Sequence, residues 1–127
     1  TILDLPMGYV RSGHKDHGRQ NQIEGKMEPG TKVVVIEDLI STGGSVLEVV
    51  DVLRQAGAEV LGIASIFTYG LQKGVERLAA ADVVNYSLSD FDTLSKVAAA
   101  EGYIADKDIA KLTAFQKNPQ DPAWMEL

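Results

Sequence analysis

Residues 33–45, VVVIEDLISTGGS, decide how the rest of the chain is read. Four consecutive apolar residues, Val33, Val34, Val35 and Ile36, run into two carboxylates, Glu37 and Asp38. Leu39 and Ile40 lead on to a loop of small residues, Ser41-Thr42-Gly43-Gly44-Ser45. From there the apolar positions Val46, Val49, Val50 and Leu53 recur at i, i+3, i+4 and i+7, the single stripe of an amphipathic helix. The apolar run predicts a strand over 32–36, buried on both faces inside a parallel sheet. Gly57 supplies a left-handed helix stop, and residues 59–67 read as the next strand. Residues 33–67 therefore form one strand–helix–strand unit, with a right-handed crossover.

This order of residues builds a ligand site. In open α/β sheets, ligands gather at the carboxyl ends of the strands, where Glu37 and Asp38 stand. A helix starting near Gly44 aims its unpaired N–H groups and positive dipole end into the same crevice. Gly43 and Gly44 let the backbone approach an anion closely, while Ser41, Thr42 and Ser45 add hydroxyls. The loop fits one phosphate. The carboxylates do not suit a phosphate; they suit ribose hydroxyls, or a Mg²⁺ bridging to a second charged group. Two common nucleotide motifs are excluded, because no Lys follows Gly44 as in GxxxxGK[ST] and no GxGxxG is present. The plainer reading of Glu37-Asp38 is a solvated acidic strand end.

Towards the amino terminus, Met7-Gly8-Tyr9-Val10 reads as a short strand, or simply an edge strand with no further role. Residues 11–25, RSGHKDHGRQNQIEG, hold both histidines and the cations Arg11, Lys15 and Arg19, with no helical or strand period. The segment reads as a long loop: either a solvated connection, or a lid that brings Arg11, Lys15 and His17 to an anionic ligand. Glu28-Pro29-Gly30 marks a turn. Towards the carboxyl terminus, Thr68-Tyr69-Gly70 ends the second strand, 75–81 reads as a short helix and 82–86 as a short strand. Ser89 or Asp90 caps a helix running to about residue 100. A last helix begins at Asp106 or Asp108 and ends before Asn118-Pro119, and the tail packs through Trp124.

The bulk properties agree. The chain of 127 residues suits one domain, is 45% hydrophobic and 24% charged, and has no cysteine for disulfides or thiolate metal sites. No apolar run approaches the roughly 20 residues that span a bilayer, so no membrane role is expected. A net charge of −6 argues against a general nucleic-acid surface. The first residue is Thr, and the opening segment lacks a visible start, which suggests a fragment or a processed chain.

Residues 37–45, EDLISTGGS, resemble the phosphoribosyl pyrophosphate (PRPP) binding motif of the type I phosphoribosyltransferases. Tyr9-Val10-Arg11, followed by Lys15-Asp16-His17-Gly18 and Ile23-Glu24-Gly25, is similar to the mobile catalytic loop of the orotate phosphoribosyltransferase family. Purine-type members do not usually carry this pattern. The resemblance is strong over residues 7–67 and weaker beyond.

It implies an α/β fold: a mostly parallel sheet flanked by helices, Rossmann-like and three-layered. Residues 1–127 would form a single domain lacking its amino-terminal part, with 11–25 as the catalytic loop. It also implies transfer of a phosphoribosyl group from PRPP to orotate, giving orotidine 5′-monophosphate and pyrophosphate in UMP synthesis. Glu37 and Asp38 would hold the ribose hydroxyls, and Leu39, Ile40, Ser41, Thr42, Gly43, Gly44 and Ser45 would complete the donor site. Ser41 would also touch orotate. Arg11, Lys15 and His17, together with Asp38, would be catalytic, the loop residues coming from the partner of a homodimer. Mg²⁺ would bridge pyrophosphate and ribose, with no direct protein ligand, and the enzyme would be cytoplasmic.

Two departures stand out: Ser12, Gly13 and His14 lie where the family often has a further Lys, and Thr68-Tyr69-Gly70 stands where some members place a base-contacting Arg. The family's amino-terminal helix and base-covering hood are also missing, so these residues alone would catalyse poorly. The alternatives are a purine-base phosphoribosyltransferase and a non-catalytic PRPP-sensing regulator of the same fold.

Overall fold

A computed structural model describes residues 2–11, 23–25 and 27–126. Lys15 and His17, with most of the expected lid, lie outside them. The described elements run in the order β1 (Tyr9–Val10), β2 (Ile23–Glu24), β3 (Lys32–Ile40), α1 (Gly44–Gln55), β4 (Glu59–Thr68), α2 (Gln72–Ala80), β5 (Asn85–Asp90), α3 (Phe91–Ala100), α4 (Asp108–Lys117) and a closing 3₁₀ turn (Pro122–Glu126).

β3, β4 and β5 form a parallel three-stranded sheet in that order, flanked by helices. The expected strand–helix–strand unit is therefore present. Its core unites Val35 and Ile63 of the sheet with Val46, Val50 and Leu53 of α1, all buried. The helical stripe read from the sequence is the stripe that packs. α1 ends as expected, with Gly57 at φ +96° and Ala58 N–H donating to the Leu53 carbonyl (3.0 Å). Asp90 is the residue that caps α3, its carboxylate accepting from Thr93 N–H at 2.7 Å. Trp124 packs edge-on against Phe115, with ring centres 5.3 Å apart.

Four expectations are corrected. β3 does not stop at Ile36; its ladder with β4 continues through Glu37↔Ser65, Leu39↔Phe67 and Ile40↔Thr68. β3 is an edge strand among the described residues, and an edge tolerates carboxylates that a central strand would not. Second, β3 is buried on one face only. Ile36, Ala64 and Tyr86 share a register row, and Ile36 and Tyr86 are 77% and 73% exposed. Third, the last strand is 85–90, not 82–86. Val83 is instead drawn into the turn that closes α2, its N–H donating to Leu78 O (3.2 Å), and it is buried in the core. Fourth, the end of the expected loop is structured, because Ile23–Glu24 pairs antiparallel with Tyr9–Val10. Two residues are too few to show a strand period in sequence.

Candidate functional site

The site lies where β3 gives way to α1. Ile40 is the last strand residue, its side chain buried in the core, and its carbonyl accepts from Tyr69 N–H at 3.0 Å. Its share in any site therefore falls to its backbone. Ser41 and Thr42 turn the chain, and Gly43 stands at φ +85°, ψ −2°, a left-handed conformation that glycine adopts without penalty. Gly43 is the N-cap of α1, and no side chain caps this helix end. The Gly43 carbonyl accepts from Leu47 N–H at 3.0 Å, the first bond of the helix. The amides that precede it along α1 have no place in that ladder, which leaves them for a ligand.

Glu37 and Asp38 are successive strand residues, yet their carboxylates converge. Asp38 N–H donates to Glu37 Oε1 at 3.0 Å, and Leu39 N–H donates to Asp38 Oδ1 at 2.7 Å. Burial first, then the adjacent Asp38 carboxyl, pushes the Glu37 carboxyl above its ordinary range. Hydrogen bonding from Glu37 first, then from Leu39 N–H, holds Asp38 below its own. Glu37 is thus the weaker acid of the pair and the exposed Asp38 the stronger. The pair offers hydrogen-bond acceptors at the carboxyl-end rim, suited to sugar hydroxyls. Among the described residues no cluster of three or more His, Cys, Asp or Glu side chains is placed to hold a metal by itself.

The remaining expected residues are placed as follows. Leu39, Thr42 and Ser45 join Glu37, Asp38, Ser41, Gly43 and Gly44 in this one segment. Arg11 follows β1, its Nε 3.1 Å from Glu24 Oε1 across the short antiparallel pair, both side chains well exposed. Lys15 and His17 belong to the residues that are not described. A cavity of about 370 Å³ opens beside the loop, between α2 and the ends of β3 and β4, with Ser41, Thr68 and Asn85 as polar lining. The sequence reading missed α2 as a wall of this region. Gly74 and Arg77 of α2 lie against the loop backbone; no local pattern signals a helix–loop contact more than 30 residues apart in the chain.

The sequence signature of the phosphoribosyl transferase domain matches residues 1–97. The chain belongs to the phosphoribosyl transferase domain family. It is 59% identical over 123 residues to an orotate phosphoribosyltransferase of Bacillus cytotoxicus, a match covering 97% of this chain and 59% of that protein. The chain thus spans about 59% of the length of the relatives it matches. Among solved structures, orotate phosphoribosyltransferase from Aeropyrum pernix superposes with a TM-score of 0.67 at 32% identity, over 82% of this chain and 56% of that one. Leishmania donovani UMP synthase gives a TM-score of 0.72 at 25% identity, over 91% of this chain and 24% of that one. The parallel sheet with its flanking helices agrees with the fold of these solved relatives. Among the described residues no helix is long and apolar enough to cross a membrane.

Proposed function

We propose that this chain carries the donor half of an orotate phosphoribosyltransferase, a pentosyltransferase that moves the phosphoribosyl group of PRPP to orotate and releases pyrophosphate. The observation that carries the reading is the uncapped amino end of α1 directly after the converging Glu37–Asp38 pair. It supports a reading in which amides for a phosphate adjoin carboxylates for ribose hydroxyls. The names of the relatives support orotate as the acceptor.

In this reading the loop 41–45 holds the 5′-phosphate through backbone amides and the hydroxyls of Ser41, Thr42 and Ser45. Asp38 and Glu37 hold the ribose hydroxyls, and so fix the anomeric carbon beside the acceptor. Ser41 reaches the base. As the bond to pyrophosphate breaks, negative charge grows on the leaving group. Arg11, Lys15 and His17, contributed by the second subunit of a homodimer, stabilise it, and closure of residues 11–25 excludes water. A Mg²⁺ would be held chiefly by the donor's own oxygens, as that ion usually keeps few protein ligands. Bound there, it would neutralise charge on the pyrophosphate. We place the enzyme in the cytosol.

The test is acceptor choice in the complete protein. With PRPP present, orotate should be consumed, whereas adenine, hypoxanthine and xanthine should not. Turnover of a purine without orotate would assign the site to purine salvage. Tight PRPP binding with no turnover of any base would leave the regulator reading.

A further inference from the structure

α2 meets the phosphate loop through the smallest residue available. A Cβ placed on Gly74 would stand 2.7 Å from the Ser41 carbonyl oxygen and 3.6 Å from that of Thr42. Gly74 is buried, and no other residue would let the helix come this close. One helical turn on, Arg77 shares the same face. Its guanidinium Nη1 donates to the Thr42 carbonyl over a long 3.5 Å and lies 3.4 Å from where a Cβ on Gly44 would be.

The peptide plane turns this contact into a consequence for the ligand. In a trans peptide the carbonyl and the next N–H point in opposite directions, and the chain has no cis bond. With the Ser41 and Thr42 carbonyls turned towards α2, the Thr42 and Gly43 N–H groups turn away from it. We infer that α2, through Gly74 and Arg77, is the positioning element of the donor site: it gathers the loop's carbonyls on one side so that its amides face the phosphate on the other. Arg77 acts through the loop backbone.

The charge distribution agrees. Arg77 sits beside the first residue of α1, the positive end of a helix dipole, where a cation is disfavoured unless an anion is near. The backstop is anchored at its far end as well. Arg54 of α1 donates to the carbonyls of Ala81 (2.6 Å) and Asp82 (3.1 Å), just past the end of α2, and so ties that end to α1.

The inference rests on the donor reading above, and the experiment separates the two. Ribose 5-phosphate, which carries the 5′-phosphate without the pyrophosphate, is titrated into the complete protein by calorimetry. Glycine-selective amide NMR follows Gly43 and Gly44. Wild type should bind and shift both amides. Arg77→Ala should bind several-fold more weakly, up to about tenfold, because the loop amides lose their backing, with a smaller Gly43 shift. Arg77→Lys, which keeps a cationic donor, should recover most of the affinity and of the shift. In the reaction, Arg77→Ala should raise KM for PRPP by more than it lowers kcat. Gly74→Ala should weaken binding too, by pushing the loop outward. Wild-type affinity and Gly43 shift in Arg77→Ala would overturn the inference and leave the donor reading standing. A loss that Arg77→Lys does not recover would also overturn it. Absence of any ribose 5-phosphate binding by wild type would overturn both.

Discussion

At the residue scale, the chemistry of the site rests on Glu37 and Asp38. Glu37, the more buried partner, is the weaker acid of the two, and Asp38 the stronger. The folded chain therefore binds a proton at Glu37 more tightly than the unfolded chain does. Folding stability that depends on it is present at low pH and is lost as pH rises through the folded pKa of Glu37. Asp38 has the opposite sign: its lowered pKa favours the folded state above the ordinary value and loses that advantage as pH falls. Replacing Asp38 by Asn removes both the hydrogen bond and the charge that raise Glu37. The Glu37 pKa should then move back towards its ordinary value in a carboxyl ¹³C titration. Asp38→Asn should weaken PRPP binding about tenfold or more. Unchanged PRPP affinity would remove Asp38 from the site. The acidic pair was legible in the sequence as a pair. Their opposite pKa shifts were not, because strand neighbours ordinarily point to opposite faces.

At the element scale, α1 was read in nearly its true extent, because Val46, Val50 and Leu53 repeat with the helical period and Gly57 stops it. β3 was read short. Glu37 and Asp38 look like loop residues, but a sheet edge accepts them. β5 was misplaced because Asp82-Val83-Val84 has strand composition, whereas Asp82 in fact sits at φ +55° in the left-handed closing turn of α2. That position suits glycine, so Asp82→Gly should stabilise the chain by about 1 kcal/mol, seen as a rise in Tm. The Arg54 bond to the Asp82 carbonyl involves the backbone and survives the change. For the lid, Lys15→Ala in the complete protein should lower kcat at least about tenfold while changing KM for PRPP far less, the signature of a group that acts mainly in the transition state. A rise in KM alone would make Lys15 a ground-state binding residue.

At the scale of the whole molecule, one face of the sheet stands out. Val34, Ile36, Ile66, Tyr86 and Leu88 are exposed on β3, β4 and β5, with Leu88 at 86%. Register and alternation put them on a single side, opposite Val35 and Ile63. An apolar patch of this kind is uncommon on a soluble monomer. The 127 residues alone should self-associate, and the double change Ile36→Lys with Leu88→Lys should shift sedimentation towards the monomer. The sequence reading expected β3 to be covered on both sides because an all-apolar run carries no information about which face is open. The strand–loop–helix junction at 40–44 was more legible than the sheet around it, since its glycines and the helical stripe after them are local signals.

The loop at the amino end of α1 is the proposed seat of the phosphoribosyl donor. Calorimetric titration of PRPP into the complete protein, wild type against Gly43→Ala, tests this directly. Gly43 occupies a conformation at φ +85° that alanine resists, so the substitution should distort the loop and spare the core. The expected result is saturable binding of one PRPP per wild-type chain and affinity reduced at least about tenfold in Gly43→Ala, with Tm lowered by only a few degrees. Equal affinity in the two proteins, or no binding by wild type, would contradict it.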